Sequence, residues 1–161
     1  MNGAGFEIRA AKVSDMDALF ALERSIPTAP HWPRAAYAAI LADDIFAPRR
    51  CLMVASDGEL LGFAVGVVHP AGDAELESIA VAESARRQGI AGALCTAVAN
   101  WCSQQGTTEL LLEVRAASAG AIALYTKLGF TAVGRRPGYY RQPNDDAVVM
   151  RMPLKVAAGN P

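Results

Sequence analysis

The chain is poor in cysteine, with 3 in 161 residues, and in aromatic side chains, at 7%. Cys51, Cys95 and Cys102 are odd in number and lack metal-type spacing, which argues against both a disulfide framework and a cysteine-bound metal. They read as small buried apolar residues of a reducing cytoplasm, and the two-turn interval from Cys95 to Cys102 suits one helix face. Charge is also scarce: charged residues are 19%, and 15 basic against 16 acidic side chains leave a net charge of −1. A nucleic-acid coat or an anionic-membrane binder would need a basic surplus. The longest apolar run, Leu61 to Val68, is far short of the ~20 residues that span a bilayer. Met1 to Gly5 have neither the basic nor the apolar region of a secretory signal. No repeat, low-complexity block or linker divides the chain. The expectation is one soluble, cytoplasmic domain over residues 1–156, with no nucleic-acid or membrane partner and a frayed tail at 157–161.

What is present is apolar: 52% of the residues, 32 of them alanine. Phe6 to Ala10 reads as a first strand. Ser14 is placed to cap a helix with Asp15 and Asp17 in its first turn, where the helix dipole favours anions. Pro27 stops that helix, and a proline-rich loop to Pro33 leads to a second near Arg34 to Asp44. Cys51–Ala55 and Leu60–Val68 flank Ser56-Asp57-Gly58-Glu59, a hairpin signal. Ala74 to Val81 is a further strand. The period then changes to 3.6, with Ile90, Leu94, Ala97/Val98 and Trp101 on one face of a helix ending near Gly106. Leu110–Val114 is a strand, Ser118–Leu128 a helix closed by Gly129, and Phe130–Val133 and Ala147–Leu154 are the last strands. This order predicts an α+β domain with a mixed sheet.

Chemistry concentrates between Ile79 and Ala93. A strand ending Ile79-Ala80-Val81 is followed by Arg86-Arg87-Gln88-Gly89-Ile90-Ala91-Gly92-Ala93, which opens a helix. A helix start offers unpaired N–H groups and a positive dipole end, and small residues let an anion approach the backbone. Such a turn suits a pyrophosphate, although the Gly-Lys-Ser/Thr of a Walker loop and the three-glycine dinucleotide fingerprint are both absent.

Arg86-x-x-Gly89-x-Ala91 after Ile-Ala-Val resembles the acetyl-CoA motif of the GCN5-related N-acetyltransferases (GNAT). Leu112-Glu113-Val114-Arg115, Ala121-Ile122-Ala123-Leu124-Tyr125, Leu128-Gly129-Phe130, Arg135-Arg136, Gly138-Tyr139-Tyr140 and Asp146 to Met150 resemble the RimI-like branch, which acetylates the N-terminal alanine of a ribosomal protein. The resemblance runs from about Phe6 to Leu154. It implies the GNAT fold, a mostly antiparallel mixed sheet flanked by helices, with acetyl-CoA as co-substrate and no metal. It further implies that the backbone of Ile79, Ala80 and Val81 pairs with the pantetheine arm and that amides within Arg87, Gln88, Gly89, Ile90, Ala91 and Gly92 hold the pyrophosphate. Glu113 matches the general base and Tyr125 the general acid. Ser118 stands where the branch often has Asn, which leaves its cofactor contact open.

Several side chains keep two readings. Glu75 and Glu77 are either a solvated face or, for Glu77, a rival base, since other GNAT enzymes carry theirs on that strand. Tyr139 and Tyr140 either line an acceptor groove or cover the sheet. Trp32, and His31 beside it, lie in a loop resembling an acceptor-side loop, with packing as the alternative. Arg135 and Arg136 either steer an acidic acceptor or are solvated. The expected activity is acetyl transfer to a primary amine, foremost a protein N-terminus, by direct attack. The alternatives are a small-molecule amine acetyltransferase and a catalytically silent acyl-CoA-binding module.

Overall fold

A computed structural model describes residues 5–27, 29, 31–42, 46 and 48–155. The described elements run β1 (Glu7–Ala10), α1 (Met16–Ser25), α2 (Arg34–Leu41), β2 (Arg49–Ser56), β3 (Leu60–Val68), β4 (Ala74–Val81), α3 (Ile90–Gln104), β5 (Glu109–Arg115), α4 (Ala119–Leu128), β6 (Thr131–Tyr140) and β7 (Asp145–Pro153). The strands form one 7-stranded sheet in the order β1-β2-β3-β4-β5-β7-β6. Only β4 and β5, joined by the α3 crossover, are parallel, so the sheet is mixed and mostly antiparallel as expected.

Helices cover both faces. On one, Ile90, Leu94, Cys95, Val98 and Cys102 of α3 join Tyr125 of α4 over Leu76, Leu110, Leu112 and Met150. The other carries Met16 and Leu19 of α1 and Tyr37 of α2 over Leu52, Val54, Phe63 and Val65. Alternating burial along β5 follows from this two-sided arrangement: Leu110, Leu112 and Val114 face α3 and α4, while Glu109, Leu111, Glu113 and Arg115 face away.

Three details differ from expectation. Ser14 does not cap α1; it sits in a 3-10 turn over Val13–Asp15, and Asp15 occupies the cap position. The Asp15 carboxylate instead accepts from the Lys12 amide at 2.7 Å and from Arg9 at 2.7 and 2.9 Å, charge-assisted bonds that a hydroxyl cannot match. Trp101 is half-buried at the flank of α3, whose buried row runs through Cys102. And β6 continues to Tyr140, because register shifts at Ala132/Gly134 and Arg136/Tyr140 absorb Gly134, Pro137 and Gly138 in an edge strand. The segment 157–161 and the expected helix end at Asp44 lie outside the described residues.

Candidate active site

The site originates in one extra residue on β4. Val65 pairs with Ser78 and Gly66 with Leu76, which leaves Glu77 as a bulge. A bulge bends and twists its strand. Accordingly β4 pairs with β5 only at Ala74–Leu110 and Glu75–Leu111, and beyond these the two strands part. From Leu76 to Val81 the edge of β4 turned away from β3 therefore has no strand beside it among the described residues. An unpaired row of N–H and C=O groups is a template for an extended ligand.

The turn after β4 supplies a second feature. Arg87 (φ 64°) and Gly89 (φ 81°) are both left-handed, and Gly89 is the N-cap of α3. The first helical bond across that cap is from the Ala93 amide to the Gly89 carbonyl, at 3.0 Å. The amides of Arg87, Gln88, Gly89, Ile90, Ala91 and Gly92 have no acceptor among the described residues. Successive N–H groups in such a turn, aligned with a helix N-terminus, form an anion-binding concavity. Free β4 edge and amide cradle together fit an extended chain ending in a pyrophosphate.

Where β4 and β5 part, a cavity of about 700 Å³ opens, lined by Glu75, Glu77 and Ile79 of β4, Glu113 and Arg115 of β5, Ser118 just before α4, Tyr125 of α4, and Tyr139 and Tyr140 of β6. Ile26, Pro27, Ala29 and Trp32, in the connection from α1 to α2, form a further wall. Glu113 and Tyr125 thus meet at one cavity; Ala80, Val81 and residues 87–92 lie beyond its lining.

Glu113 projects from the α1/α2 face of β5. Its Oε1 lies 3.2 Å from Arg136 Nε, and its Oε2 is buried with no hydrogen-bond partner. An unpaired buried carboxylate oxygen is costly and is an open acceptor for an incoming N–H. The neighbouring Tyr139 phenol is raised above its ordinary pKa by its interaction with Glu113 first and by burial second, while Glu113 Oε2 keeps no hydrogen-bond partner. Glu77 is different: Arg50 grips both its oxygens, at 2.8 and 3.1 Å. Glu75 lies 3.3 Å from His69 Nε2.

Tyr125 is buried edge-to-face against Phe130, with centroids 5.8 Å apart. Burial pushes its hydroxyl up to about 12, so it stays protonated across the working range. The three thiols are free and buried, and burial pushes Cys51 and Cys95 up to about 11 and Cys102 to about 12. At neutral pH none supplies a thiolate nucleophile. Ser118 is the N-cap of α4, its hydroxyl making no capping bond and its residue lining the cavity.

A profile of the acetyltransferase (GNAT) family matches residues 16–130. The chain belongs to the GNAT acetyltransferase family. The Escherichia coli (strain K12) ribosomal protein bS18-alanine N-acetyltransferase is 32% identical over 88% of this chain and 100% of that one. An N-alpha-acetyltransferase of Saccharolobus solfataricus is 44% identical over 48% of this chain and 46% of its own. The crystal structure of the E. coli ribosomal-protein-S18-alanine N-acetyltransferase superposes with a TM-score of 0.80 at 30% identity, covering 97% of this chain and 98% of the other. This GNAT chain is therefore an N-acetyltransferase, with the fold expected from its motifs.

Some site features had no sequence signal. The Arg136–Glu113 pair needs β6 to run on beside β7, and Arg135 is instead held by Asp146 at 2.8 Å. Arg115 stacks on the Tyr140 ring at 4.3 Å and donates to the Pro143 carbonyl at 2.9 Å, which fixes the β6–β7 turn at the cavity mouth. His31 is not among the residues lining the cavity, and its Nε2 is bonded to the Ile26 carbonyl at 2.9 Å.

Proposed function

We propose that the enzyme moves an acetyl group from acetyl-CoA to the α-amine of a protein N-terminus, by direct attack in a ternary complex. The observation that carries this reading is the unpartnered Glu113 Oε2 in the same cavity as the protonated Tyr125 hydroxyl. Acetyl-CoA, when bound, supplies a thioester carbonyl. Its extended arm fits the free edge at Ile79, Ala80 and Val81, and its pyrophosphate fits the amides from Arg87 to Gly92. Ser118 lines the cavity and is a candidate cofactor contact.

An amine attacks only when neutral, and Glu113 takes the proton, directly or through water. At pH 7 an N-terminal amine, with a pKa of ~7.7–8.0, costs roughly 3 kcal/mol less to deprotonate than a lysine at ~10.4. One carboxylate therefore suits an α-amine. Tyr125 faces the leaving thiolate. A hydroxyl at about 12 loses its proton to a thiolate of ~8.5 only uphill, so Tyr125 acts mainly as a hydrogen-bond donor. Trp32, Tyr139 and Tyr140 line the side open to the acceptor, a setting for a peptide's first residues. The bS18-alanine acetyltransferase named above supports a ribosomal N-terminus as the acceptor, and three free buried thiols suit a reducing cytoplasm.

The test is calorimetric titration with acetyl-CoA followed by a thiol-release assay. Its acceptors are an alanine-starting peptide, the same peptide with its amine blocked but an internal lysine free, and a polyamine. Release with the free peptide alone is expected. Release with the polyamine alone makes this a small-amine acetyltransferase, and binding without release makes it a silent module. Absence of binding removes the acetyl-CoA assignment.

A further inference from the structure

Glu23 is wholly buried on α1, yet it takes no part in the chemistry above. Its Oε2 accepts from the Tyr37 hydroxyl and, at 3.2 Å, from the Trp32 amide. Its Oε1 has no hydrogen-bond partner and lies 3.7 Å from the Arg24 guanidinium, which donates to the Trp32 carbonyl at 3.1 Å. Consecutive residues of α1 thus hold both polar groups of the Trp32 backbone. The ring is held as well, packed on Tyr37 with centroids 5.5 Å apart. Tyr37 packs in turn edge-to-face on Phe63 at 5.8 Å, which ties the assembly to the sheet.

A buried carboxylate with one orphan oxygen is an expensive way to fill a core, and a leucine would pack the same space without that cost. Its effect here is to immobilise Trp32, a wall of the cavity. We infer that Glu23 is a positioning residue for the acceptor: with Arg24 and Tyr37 it fixes Trp32, and the rigid wall sets which side chain fits next to the reacting amine. The inference rests on the acceptor-side assignment of Trp32 made above. A wall held at backbone and ring discriminates by size, whereas a loosened one admits larger residues.

The experiment compares Glu23→Gln, Glu23→Leu and the double variant Glu23→Leu/Tyr37→Phe, which removes both polar partners so that no buried hydroxyl is orphaned. Each is measured with alanine- and leucine-starting peptides. Acrylamide quenching of Trp32 is read in a Trp101→Phe background, where Trp32 is the remaining tryptophan. In the double variant the acceptor KM rises on the order of 10-fold and the preference between the peptides narrows, while kcat and the acetyl-CoA KM stay within about twofold. Trp32 quenching rises in parallel. Glu23→Gln, whose amide oxygen can accept both bonds, restores most of the acceptor KM. Unchanged quenching, or kcat and both KM values moving together, overturns the inference. A wild-type enzyme inactive on peptides removes the acceptor reading, while quenching still reports whether Glu23 holds Trp32.

Discussion

Of the three carboxylates that line the cavity, Glu77 and Glu113 are the candidate bases, and their partners separate them. Arg50 closes both oxygens of Glu77, whereas Glu113 keeps Oε2 open. Glu113→Gln is expected to lower kcat by about 10²–10⁴, and Glu77→Gln to cost far less, in steady-state thiol release. The reverse order would transfer the base to Glu77. Tyr125→Phe removes the hydroxyl but keeps the ring against Phe130, so kcat should fall while calorimetric acetyl-CoA affinity stays nearly intact. An unchanged kcat removes Tyr125 from the chemistry. Sequence alone carried both residues through the motifs around them. It gave no account of Arg50, and it read Arg136 as steering an acceptor or solvated rather than paired with Glu113, because partners from distant strands meet only through sheet register.

At the level of elements, the seat of α3 explains a run of small residues in β3. A Cβ on Gly62 would lie 2.7 Å from the Ala80 carbonyl and 3.3 Å from Leu94, and one on Gly66 2.5 Å from Val98 and 3.1 Å from Cys51 Sγ. With the buried Ala64 between them, these glycines let the row Ile90, Leu94, Val98 of α3 approach the sheet. Gly66→Ala should therefore destabilise by about 1–3 kcal/mol through overpacking, read as a lower urea midpoint with unchanged slope. A midpoint within error of wild type would show that α3 can shift freely. The strands and helices were legible because period-two and period-3.6 patterns and the Asp57-Gly58 turn are local. The length of β6 was not, since Gly134, Pro137 and Gly138 locally read as breakers and only pairing with β7 overrules them.

Across the whole molecule, burial raises the three thiols and Tyr125 together, and this fixes the sign of an alkaline response. The folded chain keeps these groups neutral, whereas the unfolded chain loses thiol protons near pH ~8.5 and the tyrosine proton near ~10. Below ~8.5 both states bind the same protons and the contribution is fully present. Above it the unfolded state binds fewer, and stability falls with pH. The urea midpoint should be level from pH 7 to 8 and lower by pH 10, reflecting a stability loss on the order of 1 kcal/mol per thiol, with a shallower drop in Cys95→Ala. An equal slope in that variant would mean that Cys95 does not contribute.

What the sequence by itself determined is local or periodic: the order of elements, the mixed α+β sheet, the glycine-bearing turn that opens α3, and the motifs that contain Glu113 and Tyr125. Tertiary structure decided what depends on two distant segments meeting. The Glu77 bulge parts β4 from β5 and makes the cavity. Register places Arg50 on Glu77 and Arg136 on Glu113, and the packing of α1 on α2 buries Glu23 against Tyr37 and Trp32. Residue spacing along a chain encodes which face a side chain takes. Which partner waits on that face is set by the strand or helix that packs beside it.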